Sequence, residues 1–414
     1  MMRSMFSGVS GLRVHQIQMD VIGNNISNVN TVGYKASRVT FQEIFNQTLK
    51  PAAAPSTGGT RGGINPQQIG LGTSVGSIDV LHNRTGVQRT DKLTDLSVEG
   101  DGFFVVSDGS SNYYTRAGNF DVDAAGNLVA PGGLKVMGWK ADEETSALPK
   151  AINLSNLYMK PSSSLGVSFS GNMGVDKDQL AYTSSIYDSL GREHKINCVF
   201  EKDPANPNTW FWKIEAADPD ITITDGTEID PDGNTYHGKL TFDDHGGYVD
   251  HTVSPATIKI SFNDKQAADI DMTKDDIDMT NITQNSSTAN IKGKQLNGYA
   301  PGVLESISID SNGYIVGLYS NGMSQPEWKL ALAQFSNPGG LTKLGNNLFQ
   351  KASNSGEAEI DLPGIAGRGV INPGTLEMSN VDLAKEFTDM IIAQRGFQAN
   401  SRIITTSDEL LQEL

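Results

Sequence analysis

The pattern of hydrophobic and polar positions divides the chain into two helical ends and a strand-rich middle. Near the N-terminus, apolar side chains recur at the three- and four-residue spacing of one helix face, at Met5, Val9, Leu12, Met19 and Ile26. The C-terminal block repeats this spacing, at Leu383, Phe387, Met390, Phe397, Ile404 and Leu411. Both ends are therefore predicted to form amphipathic helices with a heptad stripe. Ser379 and Asn380, which are common N-cap residues, mark the predicted start of the second helix.

The middle of the chain reads as short strands. From about residue 81, runs such as TWFWKI and TIKISF are rich in β-formers and are bounded by turn residues. Residues 50–80 differ, because PAAAPSTGGTRGGINPQQIGLG is dominated by glycine, proline and small polar residues. This composition favours an irregular or extended linker.

One heptapeptide pattern recurs along the chain. DAAGNLV (123–129), DDHGGYV (243–249) and DSNGYIV (310–316) share Asp first, Gly fourth and Val seventh. This pattern predicts a hairpin turn in which Asp caps the turn and Gly takes a positive φ. The repeat indicates one turn reused in β domains, rather than a solenoid.

Charge is concentrated in one part of the chain. The 414 residues carry 32 basic and 48 acidic side chains, a net charge of −16. Residues 171–290 hold 22 of the acids and 9 of the bases, so most of the excess lies there. The acidic balance argues against a nucleic-acid partner, because phosphate binding needs a basic surface. We expect the acidic segment to be a water-facing insertion.

These patterns predict an α+β, mainly β fold with discontinuous, nested domains. The terminal helices would form an inner coiled-coil-like layer, and two β-rich domains would lie outside it. The predicted boundaries are a terminal helical domain (1–30 plus 375–414), an extended linker or connecting arm (31–80), a middle β domain (81–160 plus 295–374) and an outer acidic β domain (161–294).

The sequence offers little catalytic or cofactor chemistry. GLGTSVG (70–76) misses the dinucleotide-binding glycine spacing by one residue. Asp230, Asp232 and Asn234 open like a calcium loop, but Thr235 stands where the sharp-turn glycine is needed, so an acidic surface loop is favoured. We therefore expect no enzyme activity, no catalytic residues, no cofactor and no metal.

Two histidines and the single cysteine are further candidates for chemical sites. His245 and His251 lie near acidic residues, but a solvated loop is favoured over a metal site. Cys198, the single cysteine, lies in the strand-like run KINCVF and is interpreted as a packed small hydrophobe. A single cysteine excludes an intrachain disulfide.

Neither membrane insertion nor a Sec signal peptide is predicted. The longest strongly apolar runs are about four residues, such as Phe103–Val106. The N-terminal twenty residues also lack the apolar core that a Sec signal requires. The protein is expected either to stay inside the cell or to leave by a route that reads no such signal.

The terminal helices are expected to need partners. Each apolar side chain contributes roughly 1.5–3 kcal/mol when fully buried. Ordering some 25 residues costs about 1–2 kcal/mol for each residue in backbone entropy. A single helix, or one pair, is therefore marginal, and we expect the ends to become ordered when several copies bundle them.

Three separated blocks carry a family resemblance. MFSGVSGLRVHQIQMDVIGNNISNVNTVGYK (5–35) resembles the N-terminal signature of bacterial flagellar rod and hook proteins. TDLSVEGDGFFVV (94–106) resembles the next block of that family, and residues 379–414 resemble its C-terminal block. The blocks occur in the family's order, so chance agreement is very improbable.

The resemblance implies a structural subunit. The length and the acidic insertion are typical of hook subunits, which self-assemble into a curved tubular universal joint that transmits motor torque. The alternative is a distal rod-type subunit of the flagellar basal body. In the hook, the eleven apolar stripe residues named above would pack between subunits.

The same resemblance implies partners and location. It implies a homo-polymer that also contacts the distal rod protein, the hook cap and the hook–filament junction proteins. The flagellar type III export apparatus would deliver the chain to the extracellular hook without a Sec signal. Some spirochaete hook proteins join a cysteine to a lysine between subunits, which leaves an intermolecular cross-link at Cys198 as an alternative to simple packing.

Overall fold

The structure, a computed structural model, describes residues 2–54, 62–155, 157–231, 233–263 and 267–412. The chain divides into two compact units. Unit 1 comprises Met1–Ser155, Ile307–Val316 and Pro326–Leu414, and unit 2 comprises Asn156–Ser306 and Gly317–Gln325. Both units are therefore assembled from separated stretches of chain.

The described residues contain two α-helices, one at each end of the chain. These are α1 (Met2–Ser27) and α2 (Leu383–Gln412). The helix start predicted at Ser379 and Asn380 is wrong by a few residues. Asp382 caps α2 instead, because its Oδ1 accepts the N–H of Ala384 at 2.9 Å. Asn380 is used elsewhere, as described below.

The strands account for most of the remaining regular structure, which confirms the predicted mainly β fold class with terminal helices. The strands of the first part of unit 1 are β1 (Ser37–Glu43), β2 (Asn46–Lys50), β3 (Gln67–Gly70), β4 (Thr73–Val80), β5 (Val87–Arg89), β6 (Leu96–Glu99), β7 (Phe103–Ser107), β8 (Asn112–Thr115), β9 (Asp121–Val122), β10 (Leu128–Val129), β11 (Lys135–Lys140) and β12 (Lys150–Ala151).

Unit 2 contains the next group of strands. They are β13 (Tyr158–Met159), β14 (Gly166–Asn172), β15 (Gln179–Tyr187), β16 (Glu193–Lys202), β17 (Thr209–Ala216), β18 (Ile221–Ile223), β19 (Glu228–Ile229), β20 (Thr235–Tyr236), β21 (Gly238–Phe242), β22 (Tyr248–His251), β23 (Ile258–Phe262), β24 (Ile270–Met272), β25 (Ile277–Thr283) and β26 (Lys292–Leu296). A short 3₁₀ turn (Lys274–Asp276) precedes β25.

Three strands run through both units, and the chain then returns to unit 1. The three are β27 (Gly302–Ile309), β28 (Tyr314–Tyr319) and β29 (Ser324–Leu330). The remaining strands of unit 1 are β30 (Leu332–Gln334), β31 (Thr342–Gly345), β32 (Leu348–Gln350), β33 (Glu359–Asp361), β34 (Val370–Pro373) and β35 (Thr375–Glu377). A 3₁₀ turn (Pro338–Gly340) precedes β31.

The sheet of unit 1 is built around β7. Its order is β29-β11-β7-β8-β32-β31, so β7 lies inside the sheet. Every residue of β7 is buried, as expected for a continuous apolar run such as Phe103–Val106. Phe103 packs edge-on against Phe335 and Phe349, with ring centroids 6.0 and 5.6 Å apart. This aromatic cluster forms much of the core of unit 1.

Unit 2 has its own core, to which two of its sheets contribute. The larger sheet has the order β15-β16-β17-β21-β22, and a second has the order β25-β14-β26, in which β14 and β25 are parallel. In β16, alternate side chains point inward, at His194, Ile196, Cys198 and Phe200. This alternation is what the strand pattern KINCVF predicts.

The predicted Asp–Gly turns are confirmed. Asp123, Asp243 and Asp310 each accept backbone N–H groups two and four residues ahead, and each glycine three residues ahead has φ near +80°. The same turn also occurs at Asp188 and Asp230, which the heptapeptide pattern missed. All five turns share the Asp-x-x-Gly spacing, but the spacing alone does not specify the turn, because Asp20 and Gly23 have it within α1.

The segment predicted as an irregular or extended linker is largely extended and paired. β1 pairs with β4 and β2 pairs with β3, both antiparallel. These two ladders form an extended two-stranded ribbon, here called the arm, whose strands span residues 37–50 and 67–80. The central residues 55–61 of the predicted linker lie outside the described residues. Strand pairing was missed because glycine and proline content was read as irregularity.

Candidate subunit-packing surfaces

The two terminal helices pack against each other through small residues. On α1, a Cβ at Gly8 would lie 3.3 Å from Ile404, and a Cβ at Gly11 would lie 2.6 Å from the Asn400 side chain. On α2, a Cβ at Gly396 would lie 2.6 Å from the His15 ring. The glycines therefore allow a close approach that larger residues would prevent. We call this contact the glycine seam.

Of the eleven sequence-predicted packing residues, Ile404 lies in the seam, where its side chain faces Gly8. Four of them are exposed: Val9, Leu383, Phe387 and Leu411. The other seven are half-buried: Met5, Leu12, Met19, Ile26, Met390, Phe397 and Ile404. Fully buried positions of the helix pair include Val14, Ile22 and Ala393. The four exposed residues of the stripe are therefore the ones most available for contacts outside the single chain.

Further apolar side chains of the helices face outward, and the sequence reasoning missed them. They are Phe6, Ile17, Ile391, Ile392, Ile403 and Leu410. Ile391 and Ile392 are 59% and 58% exposed, and Phe6 is 67% exposed. Leu383, Phe387 and Ile391 follow a four-residue spacing that could have revealed a second apolar side of α2.

The arm also exposes apolar side chains. Phe45 is 73% exposed, and Leu49, Ile69 and Leu71 are exposed as well. Ile69 pairs directly with Gln47, and the Leu71 N–H donates to the Phe45 carbonyl, so these residues share one side of the ribbon at period two. A two-stranded ribbon is marginally stable by itself. This apolar side is therefore a second candidate packing surface.

The base of the arm is fixed to α1. The Thr73 N–H donates to Ser10 Oγ at 3.2 Å, and the ring of Phe41 meets the ring of His15 edge-on at 5.9 Å. A side chain at Gly72 would collide with Ser10, because a Cβ there would lie 2.3 Å from its Oγ. The arm thus leaves α1 in a defined direction.

A buried ion cluster joins the helices to the β part of unit 1. We call Lys35, Arg116 and Glu377 the junction cluster. Lys35 Nζ lies 2.6 Å from Glu377 Oε1, and Arg116 Nη1 lies 3.5 Å from Glu377 Oε2. The three side chains are 1%, 4% and 3% exposed. Burial lowers the pKa of Lys35 and of Arg116, and the Glu377 carboxylate partly offsets both effects.

Amide side chains complete this junction. Asn25 Oδ1 accepts the Ser37 N–H at 3.0 Å, and its Nδ2 donates to Glu386 of α2 at 3.2 Å. Asn380 accepts the Ala36 N–H at 2.6 Å and donates to the Leu81 carbonyl at 2.7 Å. Both helix ends are therefore held to the same short segment after α1. Sequence reasoning missed this junction, since its central pair, Lys35 and Glu377, is 342 residues apart.

The candidate chemical sites have structural explanations. Asp230 bonds to the Asn234 amide and backbone N–H as a turn residue, while Asp232 lies outside the described residues. His245 is exposed and His251 is buried with Nδ1 at 2.7 Å from the Tyr248 hydroxyl. Across the described ranges, no group of three or more His, Cys, Asp or Glu side chains is placed to hold a metal ion.

Cys198 packs as a small hydrophobe inside unit 2, as the sequence predicted. Its side chain is 1% exposed, and burial raises the pKa of the thiol to about 12. The thiolate is the reactive form of cysteine, so the thiol is inert in this conformation.

No helix in the described part of the chain has the length and apolar character to cross a bilayer.

Four segments match families of flagellar proteins, in chain order. Residues 5–35 match "Flagella basal body rod protein", and residues 97–174 match "Flagellar hook protein FlgE/F/G D1 domain". Residues 175–299 match "Flagellar basal body protein FlaE D2 domain", and residues 372–414 match "Flagellar basal body rod FlgEFG protein C-terminal".

A solved structure and a rod protein are also similar to the chain. The flagellar hook protein FlgE2 of Helicobacter pylori is 15% identical with a TM-score of 0.41, covering 70% of this chain and 100% of that chain. The flagellar basal-body rod protein FlgG of Bacillus subtilis is 32% identical, covering 100% of this chain and 98% of that protein.

Two hook proteins are more similar still. The flagellar hook protein FlgE of Borreliella burgdorferi is 39% identical and covers 100% of this chain and 99% of that protein. The FlgE of Treponema pallidum is 37% identical and covers 99% of this chain and 98% of that protein. The higher identity to hook proteins makes the rod-type alternative less favoured. The chain thus belongs to the FlgE family of flagellar hook proteins and is a structural subunit of the flagellar hook.

Proposed function

We propose that this hook subunit polymerises through the outward apolar sides of α1 and α2, with the stripe residues packing between copies. The observation that carries the proposal is the exposure of large apolar side chains on both helices, including Phe6, Phe387, Ile391 and Ile392. A contiguous exposed apolar surface usually marks a protein–protein interface.

The energetics support the use of these surfaces by further copies. The glycine seam covers the inner side of each helix, and the base of the arm contacts α1. The outward apolar side chains of both helices remain exposed in the described structure. Fully burying one large apolar side chain contributes roughly 1.5–3 kcal/mol. Several such side chains on each copy would therefore offset the ordering cost of the helices only when copies associate.

The arm would act as a brace in the polymer. Its apolar side, including Phe45 and Ile69, would lie against a neighbouring copy, and its base would stay fixed to α1 through Ser10. Burying that side would stabilise a ribbon that is marginal alone. The connecting-arm assignment of residues 31–80, predicted from the sequence, is part of this proposal.

The domain boundaries predicted from the sequence remain part of the proposal. The helical domain (1–30 plus 375–414) would form the inner layer of a curved tube that transmits torque. The middle β domain (81–160 plus 295–374) would surround it, and the acidic domain (161–294) would lie outermost. Polar, hydrated contacts between outer domains would rearrange with small energy changes as the tube bends.

The partners and location follow from this role. The polymer would contact the distal rod protein, the hook cap and the hook–filament junction proteins, and the flagellar type III export apparatus would deliver each chain to the cell exterior. No nucleic-acid partner, membrane insertion, cofactor or enzyme activity belongs to the proposal.

Substitution of one exposed helix residue tests the packing surface. Ile391→Asp should abolish or strongly weaken polymerisation of the purified chain, because it places a charge in an apolar contact. Leu148→Asp is the matched control, since Leu148 is 86% exposed in the loop between β11 and β12. Sedimentation and electron microscopy measure the polymer. Normal tubes from Ile391→Asp would contradict the proposal.

A further inference from the structure

A short C-terminal segment closes the β part of unit 1. Residues 368–380, here called the strap, contain β34 and β35. β34 pairs with β6 over Val370–Pro373, and β35 pairs with β5 over Thr375–Glu377. The strap is thus the last part of the chain before α2, yet it pairs with strands that lie about 280 residues earlier in the sequence.

The strap is the only strand partner of β5 and β6 among the described strands, since each forms a two-stranded sheet with it. The backbones approach closely, because a Cβ at Gly100 would lie 2.5 Å from the Gly369 Cα. Ser97, which is fully buried, bonds to Thr375 at 2.7 Å. Without the strap, both strands would lose their strand partner, which is costly for β6 because its residues Leu96, Ser97 and Val98 are buried.

The strap also supplies the only carboxylate in the junction cluster. Apart from Glu377, Lys35 Nζ donates to the Asn83 carbonyl at 2.8 Å. Arg116 keeps more partners, because it donates to the Val98 and Gly100 carbonyls and lies 5.3 Å from the Phe103 ring centre. Lys35 therefore depends on Glu377 more than Arg116 does. Burying an ammonium without a counter-ion is strongly unfavourable.

The strap further holds the chain between α1 and the arm. The Gly33 N–H donates to the Glu377 carbonyl at 2.8 Å, and Asn380 accepts the Ala36 N–H. A Cβ at Gly33 would lie 2.6 Å from the backbone nitrogen of Ala117, so a residue larger than glycine would clash there. The end of α1, the start of α2 and the β strands of unit 1 thus meet at the strap.

We propose that the strap is a latch and that the Glu377 carboxylate allows unit 1 to close. Until this carboxylate reaches Lys35, β5 and β6 lack their strand partners in the strap. The two terminal helices also remain unanchored at the junction until then. Closure of unit 1 and anchoring of both helices are then one event. A chain whose C-terminal segment is not yet in place cannot complete unit 1, whereas unit 2 has a separate core.

The test compares full-length variants by amide hydrogen exchange at constant pH. Glu377→Gln should speed exchange in β5 and β6 by roughly a hundredfold or more, because it leaves two buried cations without their carboxylate. Exchange in β16 and β17 of unit 2 should stay unchanged and serves as an internal reference. Glu359→Gln, which changes an exposed carboxylate of β33, is the matched control and should behave as wild type.

A double variant separates the latch from a general loss of packing. Lys35→Met combined with Glu377→Gln removes the ammonium that most needs the carboxylate, so it should recover most of the protection lost in Glu377→Gln. Three results would overturn the proposal: wild-type exchange in Glu377→Gln, an equal loss of protection in unit 2, or a double variant no better protected than Glu377→Gln.

Discussion

At the scale of single residues, several buried polar groups have only one workable protonation state. His237 of unit 2 is a clear case. The Ile214 N–H donates to its Nδ1 at 3.0 Å, and its Nε2 lies 2.6 Å from the Thr224 carbonyl. A backbone N–H can only donate and a carbonyl can only accept, so the ring must be neutral with its proton on Nε2. Burial accordingly lowers the pKa of His237.

This predicts an acid-sensitive unit 2. An unfolded histidine has a pKa of about 6.5, so below that pH the unfolded chain binds a proton that folded His237 does not. The stabilising contribution is complete above about pH 6.5 and falls as the pH drops towards the folded pKa. The free energy of unfolding from urea titrations at pH 8, 7, 6 and 5.5 should decrease accordingly.

Burial also lowers the pKa of His251 in the same unit. A variant is therefore needed to separate the contribution of His237 from that of His251. His237→Gln should be less stable than wild type at pH 8, but its stability should depend less on pH between 7 and 5.5. Each unit of pKa depression corresponds to about 1.4 kcal/mol. An unchanged pH dependence in this variant would assign the effect to other groups.

At the scale of elements, the two terminal helices have sides with different roles. The glycine seam holds α1 and α2 together, and the outward apolar side chains remain for other copies. Hydrophobic periodicity in the sequence reveals the outward apolar sides of the helices but not the glycine seam. Glycine has no apolar side chain to count, so a seam based on close backbone approach leaves no periodic apolar signal.

Two glycines of α1 provide a matched test of the seam. A Cβ at Gly11 would lie 2.6 Å from the Asn400 side chain. A Cβ at Gly23 would have no described atom within 4 Å beyond its own helix backbone and chain neighbours. Gly23→Ala should stabilise the helix by about 1 kcal/mol through helix propensity. Gly11→Ala should be less stable than Gly23→Ala by about 1–3 kcal/mol, because the added methyl group overpacks the seam.

Amide exchange of α1 in assembled polymer measures both effects. Gly23→Ala should slow exchange about fivefold, as expected for about 1 kcal/mol. Gly11→Ala should exchange faster than Gly23→Ala. Equal exchange in the two variants would show that the helices do not meet closely at Gly11 in the polymer.

At the scale of the whole molecule, stability is unevenly distributed. Units 1 and 2 each have a buried aromatic core, while the helices expose many apolar side chains and bury few. The helices are therefore the elements whose order should depend most on other copies.

This predicts different exchange in monomer and polymer. In dilute monomer, amides of α1 before the junction and of most of α2 should exchange within seconds to minutes, while β7 and β16 remain protected. In polymer, both helices should become protected. Slow exchange of both helices in dilute monomer would contradict the expectation that their order requires several copies.

Much of the architecture was predictable for physical reasons. Helical ends, short strands and the Asp–Gly turns depend on residues that are close in sequence, so periodicity and turn chemistry reveal them. The pairing of the arm was missed, because pairing joins segments separated by the glycine- and proline-rich stretch. The exposed Ile391 and Ile392 were missed because only one apolar stripe of α2 was followed.

The sequence alone determined the helical termini, the strand-rich middle, the acidic composition of residues 171–290 and the family resemblance, because each is encoded in local spacing or composition. Only the tertiary structure decided which sides of the helices meet, how the arm pairs and which charges are buried. Lys35 and Glu377 are 342 residues apart. Their contact depends on the complete path of the chain, since a charged residue by itself gives no sign of whether folding will bury it or which partner it will meet.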